Sequence, residues 1–255
     1  MPNITDTVTT PDGACTVRLF TPEGDGPWPG VVMYPDAGGV RDTFHEMAAK
    51  LAGYGYAVLL PDVYYRNGDW APVDMKTVFG DPDERKRLMS MMSSVTPLKM
   101  DIDAGMFFDY LAARPEVSGA KFGVCGYCMG ARTSLIVAGR RPHRVAAAAL
   151  FHGGGLATDS PESPHLLAER IQAAVYVAGA KNDGSFTPQQ AEQLGKALTA
   201  AGVDHTIETY PAEHGFAVPD NVPYDEAAAE RHWTAMRDFF GAKLAPGDDA
   251  ERVAR

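Results

Sequence analysis

Cysteine is scarce in this chain of 255 residues, which contains only Cys15, Cys125 and Cys128. Three thiols do not make the disulfide framework of a small secreted domain, and they suit a reducing compartment. No apolar run approaches the roughly 20 residues that a membrane-spanning helix requires. The segment from Met1 to Asp6 lacks the basic and apolar regions of a signal peptide. We therefore expect a cytoplasmic protein without a membrane partner.

Positive charge is also limited, since the chain has 23 Lys and Arg residues and 33 Asp and Glu residues, which gives a formal net charge of -10. A chain of this charge is repelled by nucleic acids and by anionic membranes, so we expect neither as a partner. Its length and its hydrophobic content of 45% allow one large core. We expect a single domain over residues 1–244 and a flexible charged tail over residues 245–255. Whether the protein is a monomer or a dimer stays open.

The most informative stretch runs from Lys121 to Leu135. The apolar run Phe122 to Cys125 predicts a buried strand, and the residues from Met129 onwards predict a helix. Between them lies Gly126-Tyr127-Cys128-Met129-Gly130, which matches the nucleophile elbow G-x-S-x-G with cysteine in place of serine. The elbow is a strained turn that exposes its central side chain at a helix N-terminus, where the helix dipole favours a thiolate. The motif predicts that Cys128 is a nucleophile.

Two other interpretations use the same cysteines. Cys125 and Cys128 form a CxxC, which occurs in redox sites and in zinc sites. A zinc site needs further ligands at suitable spacing, and Cys15 is the only other cysteine, so we expect no metal. Cys125 falls inside the predicted strand, where a free cysteine is usually a small buried hydrophobe. A redox CxxC is therefore the less favoured alternative.

The rest of the chain predicts an α/β-hydrolase fold, with a mostly parallel central sheet flanked by helices. A hairpin over Thr5 to Phe20 is followed by strands that alternate with amphipathic helices, which is typical of βαβ units. The segment over residues 64–98 breaks this rhythm and is interrupted by several glycines and prolines. A long excursion inside a compact domain is usually a cap or a binding loop, so we interpret this segment as a short cap.

An elbow predicts its partners by chain order, with an acid and then a histidine in loops after later strands. The predicted strand Ala174–Ala178 leads to Asp183, and the predicted strand Thr206–Tyr210 leads to His214. The other histidines either lie in or beside helices and strands or precede the acid. Agreement in residue type, order and loop position favours a triad of Cys128, Asp183 and His214.

The expected oxyanion hole consists of two backbone N–H groups, those of Met129 and Ala37. Gly38 and Gly39 would let the chain approach a substrate closely. The run His152-Gly153-Gly154-Gly155 is similar to an oxyanion motif of lipases, but it follows the nucleophile instead of preceding it. We interpret it as a turn at the end of a strand. Loss of one oxyanion donor typically lowers the rate by about 10²–10³.

With these motifs in place, the chain resembles the dienelactone hydrolase family from about Thr5 to Phe240. The motifs that carry the resemblance are Gly-Tyr-Cys-Met-Gly at 126–130, Pro-Asp-Val-Tyr at 61–64 and Glu-His-Gly-Phe at 213–216. The resemblance implies an α/β-hydrolase fold and a Cys-His-Asp triad that maps onto Cys128, His214 and Asp183. It implies a small ester or lactone as substrate and no cofactor.

The resemblance also implies a substrate site, from which this chain departs. The family has an oxyanion-loop glutamate that contacts the resting thiol, and Asp36 stands at its position. Of the two arginines that bind a substrate carboxylate in the type enzyme, Arg87 matches the first and Val218 replaces the second. Met91 stands where the cap has an aromatic residue. We therefore expect an aliphatic pocket that does not require an anion. A thioesterase or other acyl transferase, and a non-catalytic binding protein, stay open as alternatives.

Overall fold

The computed structural model describes residues 1–244 and forms one eight-stranded sheet flanked by helices. The strands are β1 (Asn3–Thr10), β2 (Gly13–Phe20), β3 (Trp28–Tyr34), β4 (Ala57–Pro61), β5 (Val117–Tyr127), β6 (Val145–Phe151), β7 (Ala174–Ala180) and β8 (His205–Tyr210). The helices are α1 (Asp42–Ala52), α2 (Pro82–Ser94), α3 (Pro97–Ala112), α4 (Met129–Arg140), α5 (Pro188–Ala200) and α6 (Glu226–Lys243), with short 3-10 helices at Tyr65–Asn67 and Pro164–Arg170.

The strands are ordered β1-β2-β4-β3-β5-β6-β7-β8 across the sheet. β1 pairs with β2, and β2 pairs with β4, in antiparallel fashion. All the pairings from β4 to β8 are parallel. The predicted fold class is confirmed. Because the carboxyl ends of parallel strands meet at one edge, the loops after β3, β5, β7 and β8 lie close together there.

Helices cover both faces of the sheet and bury two apolar clusters. Residues of α3, α4 and α5 pack on one face, and residues of α1 and α6 pack on the other. β5 contributes to both clusters, since Phe122 and Val124 face the first layer and Cys125 and Tyr127 face the second. Cys125 is fully buried and free, and burial raises the pKa of its thiol. It therefore has the environment of a core residue, unlike Cys128, which is partly exposed.

The segment after β4 forms a third apolar cluster at the carboxyl edge of the sheet. Its buried members are Ala37, Tyr64, Val73, Val78, Leu88, Met91 and Met129. The main element is α2, which begins with Pro82 after Asp81, whose side chain accepts hydrogen bonds from two N–H groups of the first turn. The cluster joins this segment to the loops after β3 and β5, as a cap requires.

Two features of the backbone differ from the sequence expectations. β5 begins at Val117, earlier than the apolar run at Phe122, because its polar first part pairs with the start of β3. The 3-10 helix over Pro164–Arg170 follows β6 and was not expected. The predicted tail at 245–255 lies outside the described residues. None of the helices within residues 1–244 is long and apolar enough to cross a membrane.

A buried histidine makes the stability of this fold sensitive to acid. His232 in α6 packs 4.8 Å from the ring of Phe151, with its Nε2 atom 3.3 Å from the Tyr127 hydroxyl. Burial lowers the pKa of His232 to about 3. The unfolded chain takes up a proton at His232 near pH 6.5, whereas the folded chain does not. The contribution of His232 to the free energy of unfolding is therefore fully present above that pH and decreases as the pH falls.

We expect this single site to reduce the free energy of unfolding by about 2 kcal/mol between pH 7 and pH 5. Replacing His232 with phenylalanine, which keeps an aromatic ring without a titrating group, should remove that part of the pH dependence. Urea unfolding of both proteins at the two pH values measures the difference. An equal loss of stability in both proteins would show that His232 does not titrate on unfolding.

Candidate active site

Cys128 occupies a strained turn between β5 and α4. It lies directly after Tyr127 and is the N-cap residue of α4, with φ 53° and ψ -111°. A Cβ on Gly126 would lie 2.1 Å from the carbonyl oxygen of Gly130, and a Cβ on Gly130 would lie 2.2 Å from that of Tyr34. Only glycine fits at these two positions. The sequence therefore forms the turn of a nucleophile elbow, with the side chain of Cys128 at the N-terminus of a helix.

Asp183 and His214 come from the loops after β7 and β8 and meet in a hydrogen bond. His214 Nδ1 lies 2.6 Å from Asp183 Oδ2. The Asp183 side chain is only 3% exposed. Burial raises the pKa of this carboxyl, but hydrogen bonds from His214 and Ser185 outweigh burial and lower the pKa to about 2. Asp183 is thus a carboxylate at neutral pH.

His214 carries a positive charge in this arrangement. Burial lowers the pKa of the imidazole, but the hydrogen bond with Asp183 and the nearby sulfur of Cys128 outweigh burial and raise the pKa to about 10. The structure thus pairs Asp183 with His214 beside the elbow that presents Cys128, and the sulfur is close enough to raise the pKa of the imidazole.

Ser185 also belongs to this group, although no sequence motif selects it. Its backbone N–H and its hydroxyl both donate to Asp183 Oδ1, at 2.8 and 2.5 Å. The same hydroxyl lies 3.3 Å from His214 Nδ1. An aspartate side chain often accepts from the backbone N–H two residues further on, so Asp183 itself indicates the turn but not the role of the serine hydroxyl.

Ala37 and Met129, the expected oxyanion donors, lie in the loop after β3 and at the start of α4. Among residues 1–244, neither backbone N–H has an acceptor. The hydroxyl of Tyr64 donates to the carbonyl oxygen of Ala37 at 2.7 Å and lies 3.6 Å from the sulfur of Met129. The next N–H group, that of Gly38, donates to Asp36 at 2.9 Å. The peptide group between Ala37 and Gly38 is therefore fixed at both its carbonyl oxygen and its N–H.

A buried ionic cluster joins the loop of Ala37 to the loop of His214. Arg41 donates to both oxygens of Asp36, at 2.7 and 3.1 Å, and to both oxygens of Asp220, at 2.6 and 2.7 Å. Asn221 donates to Asp36 at 3.2 Å. These bonds and the one from Gly38 are the hydrogen bonds of the Asp36 carboxylate within the described part of the chain, and Cys128 is not among its partners. Asp36 thus acts here on the loop and not on the thiol.

His152, in the Gly-rich turn after β6, packs against the catalytic candidate His214. The two ring centroids are 5.2 Å apart, and Phe216 lies 5.1 Å from His152 on another side. His152 is fully buried in a left-handed backbone conformation, and neither ring nitrogen has a partner among residues 1–244. Burial and the charge of His214 hold its pKa well below the usual value. His152 is therefore a neutral ring that supports His214.

The four expected substrate residues do not share one site. Met91 packs in the cap cluster with Ala37 and Met129, so it covers the region that also contains Asp36. Arg87 donates to Glu84 at 2.6 Å and to the carbonyl oxygen of Ala71 at 2.7 Å, and together with Met91 it lines a groove of about 870 Å³ between α2 and residues 67–72.

No member of the triad lines that groove. Val218 is completely buried in the apolar cluster beneath α1 and α6. Asp36 and Met91 thus lie at or beside the loop of Ala37, Arg87 lies in the groove that Met91 also lines, and Val218 lies in the core; their roles as substrate contacts stay predictions.

The family model named dienelactone hydrolase family matches residues 15–244 of this chain. The chain belongs to the dienelactone hydrolase family. It is 27% identical over 230 residues to the "Putative carboxymethylenebutenolidase" of Synechocystis sp., covering 89% of this chain and 91% of that protein. The protein of the same name from Escherichia coli K12 is 25% identical over 224 residues, covering 86% of this chain and 78% of that protein.

Among solved structures, a "Putative Dienelactone Hydrolase" from Klebsiella pneumoniae aligns with a TM-score of 0.81 and 24% identity, covering 94% of this chain and 98% of that one. This likeness shows the fold. Together, the family match and the curated relatives identify the chain as a dienelactone hydrolase-like enzyme, which is a hydrolase of the ester and lactone type.

Proposed function

We propose that this dienelactone hydrolase-like protein cleaves a carboxylic ester or lactone through Cys128, with Asp183 and His214 as its partners. The observation that carries the proposal is the position of His214, which is hydrogen-bonded to Asp183 at 2.6 Å and raised in pKa by both Asp183 and Cys128. A charged imidazole that is paired with a buried carboxylate and lies near a cysteine in an elbow is suited to nucleophilic catalysis by sulfur.

In the first half of the reaction, the Cys128 thiolate attacks the carbonyl carbon of the substrate. The carbonyl electron pair moves to oxygen, and the N–H groups of Ala37 and Met129 donate to the oxyanion. When the tetrahedral intermediate collapses, the bond to the leaving oxygen breaks. His214 gives its proton to that oxygen, and an acyl-thioester remains on Cys128.

In the second half, the now neutral His214 removes a proton from water, and the hydroxide attacks the thioester carbon. The carbon–sulfur bond breaks, the carboxylic acid leaves, and the thiolate and imidazolium are restored. Asp183 holds the imidazole with Nδ1 protonated throughout, so Nε2 is free to exchange the proton. A lactone follows the same steps, except that its leaving oxygen stays attached to the acyl group until water releases the hydroxy acid.

The ion pairs of Arg87 and Arg41 support a substrate that need not be an anion. The guanidinium of Arg87 is paired with Glu84, and that of Arg41 is paired with both Asp36 and Asp220. Val218 lies in the core. A substrate carboxylate would therefore have to compete with existing ion pairs for either guanidinium. We propose that neutral esters and lactones are accepted.

A thioesterase or other acyl transferase would use the same residues, so the test compares leaving groups. We propose to measure kcat/KM for p-nitrophenyl acetate, for an enol-lactone and for acetyl-CoA. The ester or the lactone should be preferred. A preference for acetyl-CoA would make the protein a thioesterase, and no hydrolysis of any of the three would favour a binding protein. A disulfide between Cys125 and Cys128 under mild oxidant would support the redox alternative, which the complete burial of Cys125 disfavours.

Tyr64 gives a specific prediction for the oxyanion loop. Replacing it with phenylalanine removes the hydroxyl that holds the carbonyl oxygen of Ala37 and keeps the ring in the cap cluster. We expect kcat to fall by about tenfold with KM nearly unchanged, because the N–H of Ala37 is then less well aimed at the oxyanion. Steady-state kinetics on p-nitrophenyl acetate measure both constants. Tyr65→Phe, which alters the neighbouring tyrosine bonded to Thr10 and Asp103, is the control. Equal effects of both substitutions would contradict this role.

A further inference from the structure

We infer that Ser185 is a fourth member of the catalytic group, a positioning residue that aims the carboxylate of Asp183 at His214. The inference rests on the proposed function and extends it to a residue outside the triad. The two oxygens of Asp183 have separate partners. Oδ2 accepts from His214 at 2.6 Å, whereas Oδ1 accepts from the N–H and the hydroxyl of Ser185 at 2.8 and 2.5 Å.

This division of partners fixes the rotation of the carboxylate. A carboxylate turns readily about its last bond, since rotation by half a turn exchanges two equivalent oxygens. Two donors from one residue on Oδ1 oppose that rotation and leave Oδ2 pointing at the imidazole. The hydroxyl also lies 3.3 Å from His214 Nδ1, so it is adjacent to the hydrogen bond between His214 and Asp183. Hydrogen bonds to a charged acceptor are stronger than those between neutral groups, so the two bonds from Ser185 restrain the rotation of the Asp183 carboxylate effectively.

Ser185 is itself held in place by the backbone. Its carbonyl oxygen accepts from the N–H of Gly155, at 2.7 Å, in the turn that follows β6 and contains His152. The next residue, Phe186, is buried and donates from its N–H to the carbonyl oxygen of Asp183. Ser185 is nevertheless exposed to solvent. Truncating its side chain therefore removes no core packing, and a loss of activity would not arise from a cavity.

The first test is the kinetic effect of Ser185→Ala with p-nitrophenyl acetate as substrate. We expect kcat/KM to fall by about tenfold, the effect typical of one hydrogen bond to a charged group. Ser185→Thr keeps the hydroxyl and should retain most of the activity. The control is Ser160→Ala, since Ser160 is an exposed serine whose hydroxyl accepts a local bond from the N–H of Glu162, two residues on. It should match the wild type.

A double-mutant cycle separates positioning from a general structural effect. If Ser185 acts through Asp183, its removal costs activity in the wild type but nothing further in the Asp183→Ala background. Activity of Ser185→Ala within twofold of the wild type would overturn the inference, as would an undiminished loss in the Asp183→Ala background. Full activity of Asp183→Ala, or no hydrolysis by the wild type, would instead contradict the proposed function, and the role of Ser185 would be rejected with it.

Discussion

Replacing Cys128 with alanine is expected to abolish ester hydrolysis and leave the fold intact. The substitution removes the nucleophile, and neither Asp183 nor His214 can form the acyl intermediate in its place. Loss of the nucleophile in a comparable triad lowers kcat by about 10⁶, so we expect a fall of at least about 10⁴. The side chain is partly exposed on a turn, and its removal should change the free energy of unfolding little. Steady-state kinetics and urea unfolding of the purified variant measure the two effects.

Cys125 provides the matched control for this prediction, because it has the same side chain three residues away. It is completely buried in the apolar cluster beneath α1 and α6. Cys125→Ala should therefore keep activity within a few-fold of the wild type and lower stability by about 1 kcal/mol as a small core truncation. If Cys125→Ala loses the activity and Cys128→Ala keeps it, the assignment of the elbow is wrong.

Replacing His214 with glutamine is expected to have the second largest effect, a fall in kcat/KM of at least about 10³. Glutamine can still donate a hydrogen bond towards Asp183, but it carries no charge and cannot move a proton. The pKa of His214 is about 10, so the imidazolium is present at neutral pH and is lost as the pH rises through that value. We therefore also expect alkylation of Cys128 by iodoacetamide at pH 7 to slow in the variant.

His143→Gln is the control for the histidine substitution. His143 is exposed just before β6 begins, at the amino end of the parallel strands and away from the elbow. Its substitution should leave both the hydrolysis and the alkylation rates unchanged. Alkylation of Cys128 at the wild-type rate in His214→Gln would mean that the imidazole does not activate the sulfur.

The fold and the candidate triad could be predicted because their signals are local or ordered along the chain. Any Cβ at Gly126 or Gly130 would make a contact of 2.1 or 2.2 Å, so the glycines of the motif are a steric requirement of the turn. Parallel strands bring their carboxyl ends to one edge, so chain order alone places Asp183 and His214 near the elbow. The fold class and the family were confirmed on that basis.

The ionic cluster could not be predicted, because it depends on pairs that are distant in sequence. Arg41 and Asp220 lie 179 positions apart, and only the folded chain shows that one guanidinium serves both Asp220 and Asp36. Nor does the length of the Asp36 side chain reveal that its partners are Arg41, Gly38 and Asn221. Sequence comparison can suggest a residue at a position, but the partner is set by three-dimensional packing.

The surroundings of Arg87 and Val218 could not be predicted for a related reason. Arg87 matches its expected position on α2, yet Glu84 lies about one helical turn before it and forms an ion pair with its guanidinium. Val218 follows His214 by four residues, but the chain there turns into the core. A matching position in the sequence does not determine the direction of a side chain, because local ion pairs and burial determine which rotamer it adopts.

Acyl transfer through the sulfur of Cys128 is tested most directly by observing the acyl-enzyme. Wild-type protein is mixed with p-nitrophenyl acetate, quenched in acid within milliseconds and digested for mass spectrometry. We predict one acetyl group on the peptide that contains Cys128, sensitive to hydroxylamine as a thioester is, and absent from Cys128→Ala. Steady turnover with no acetyl group on Cys128, or with the acetyl group on another residue, would contradict the account.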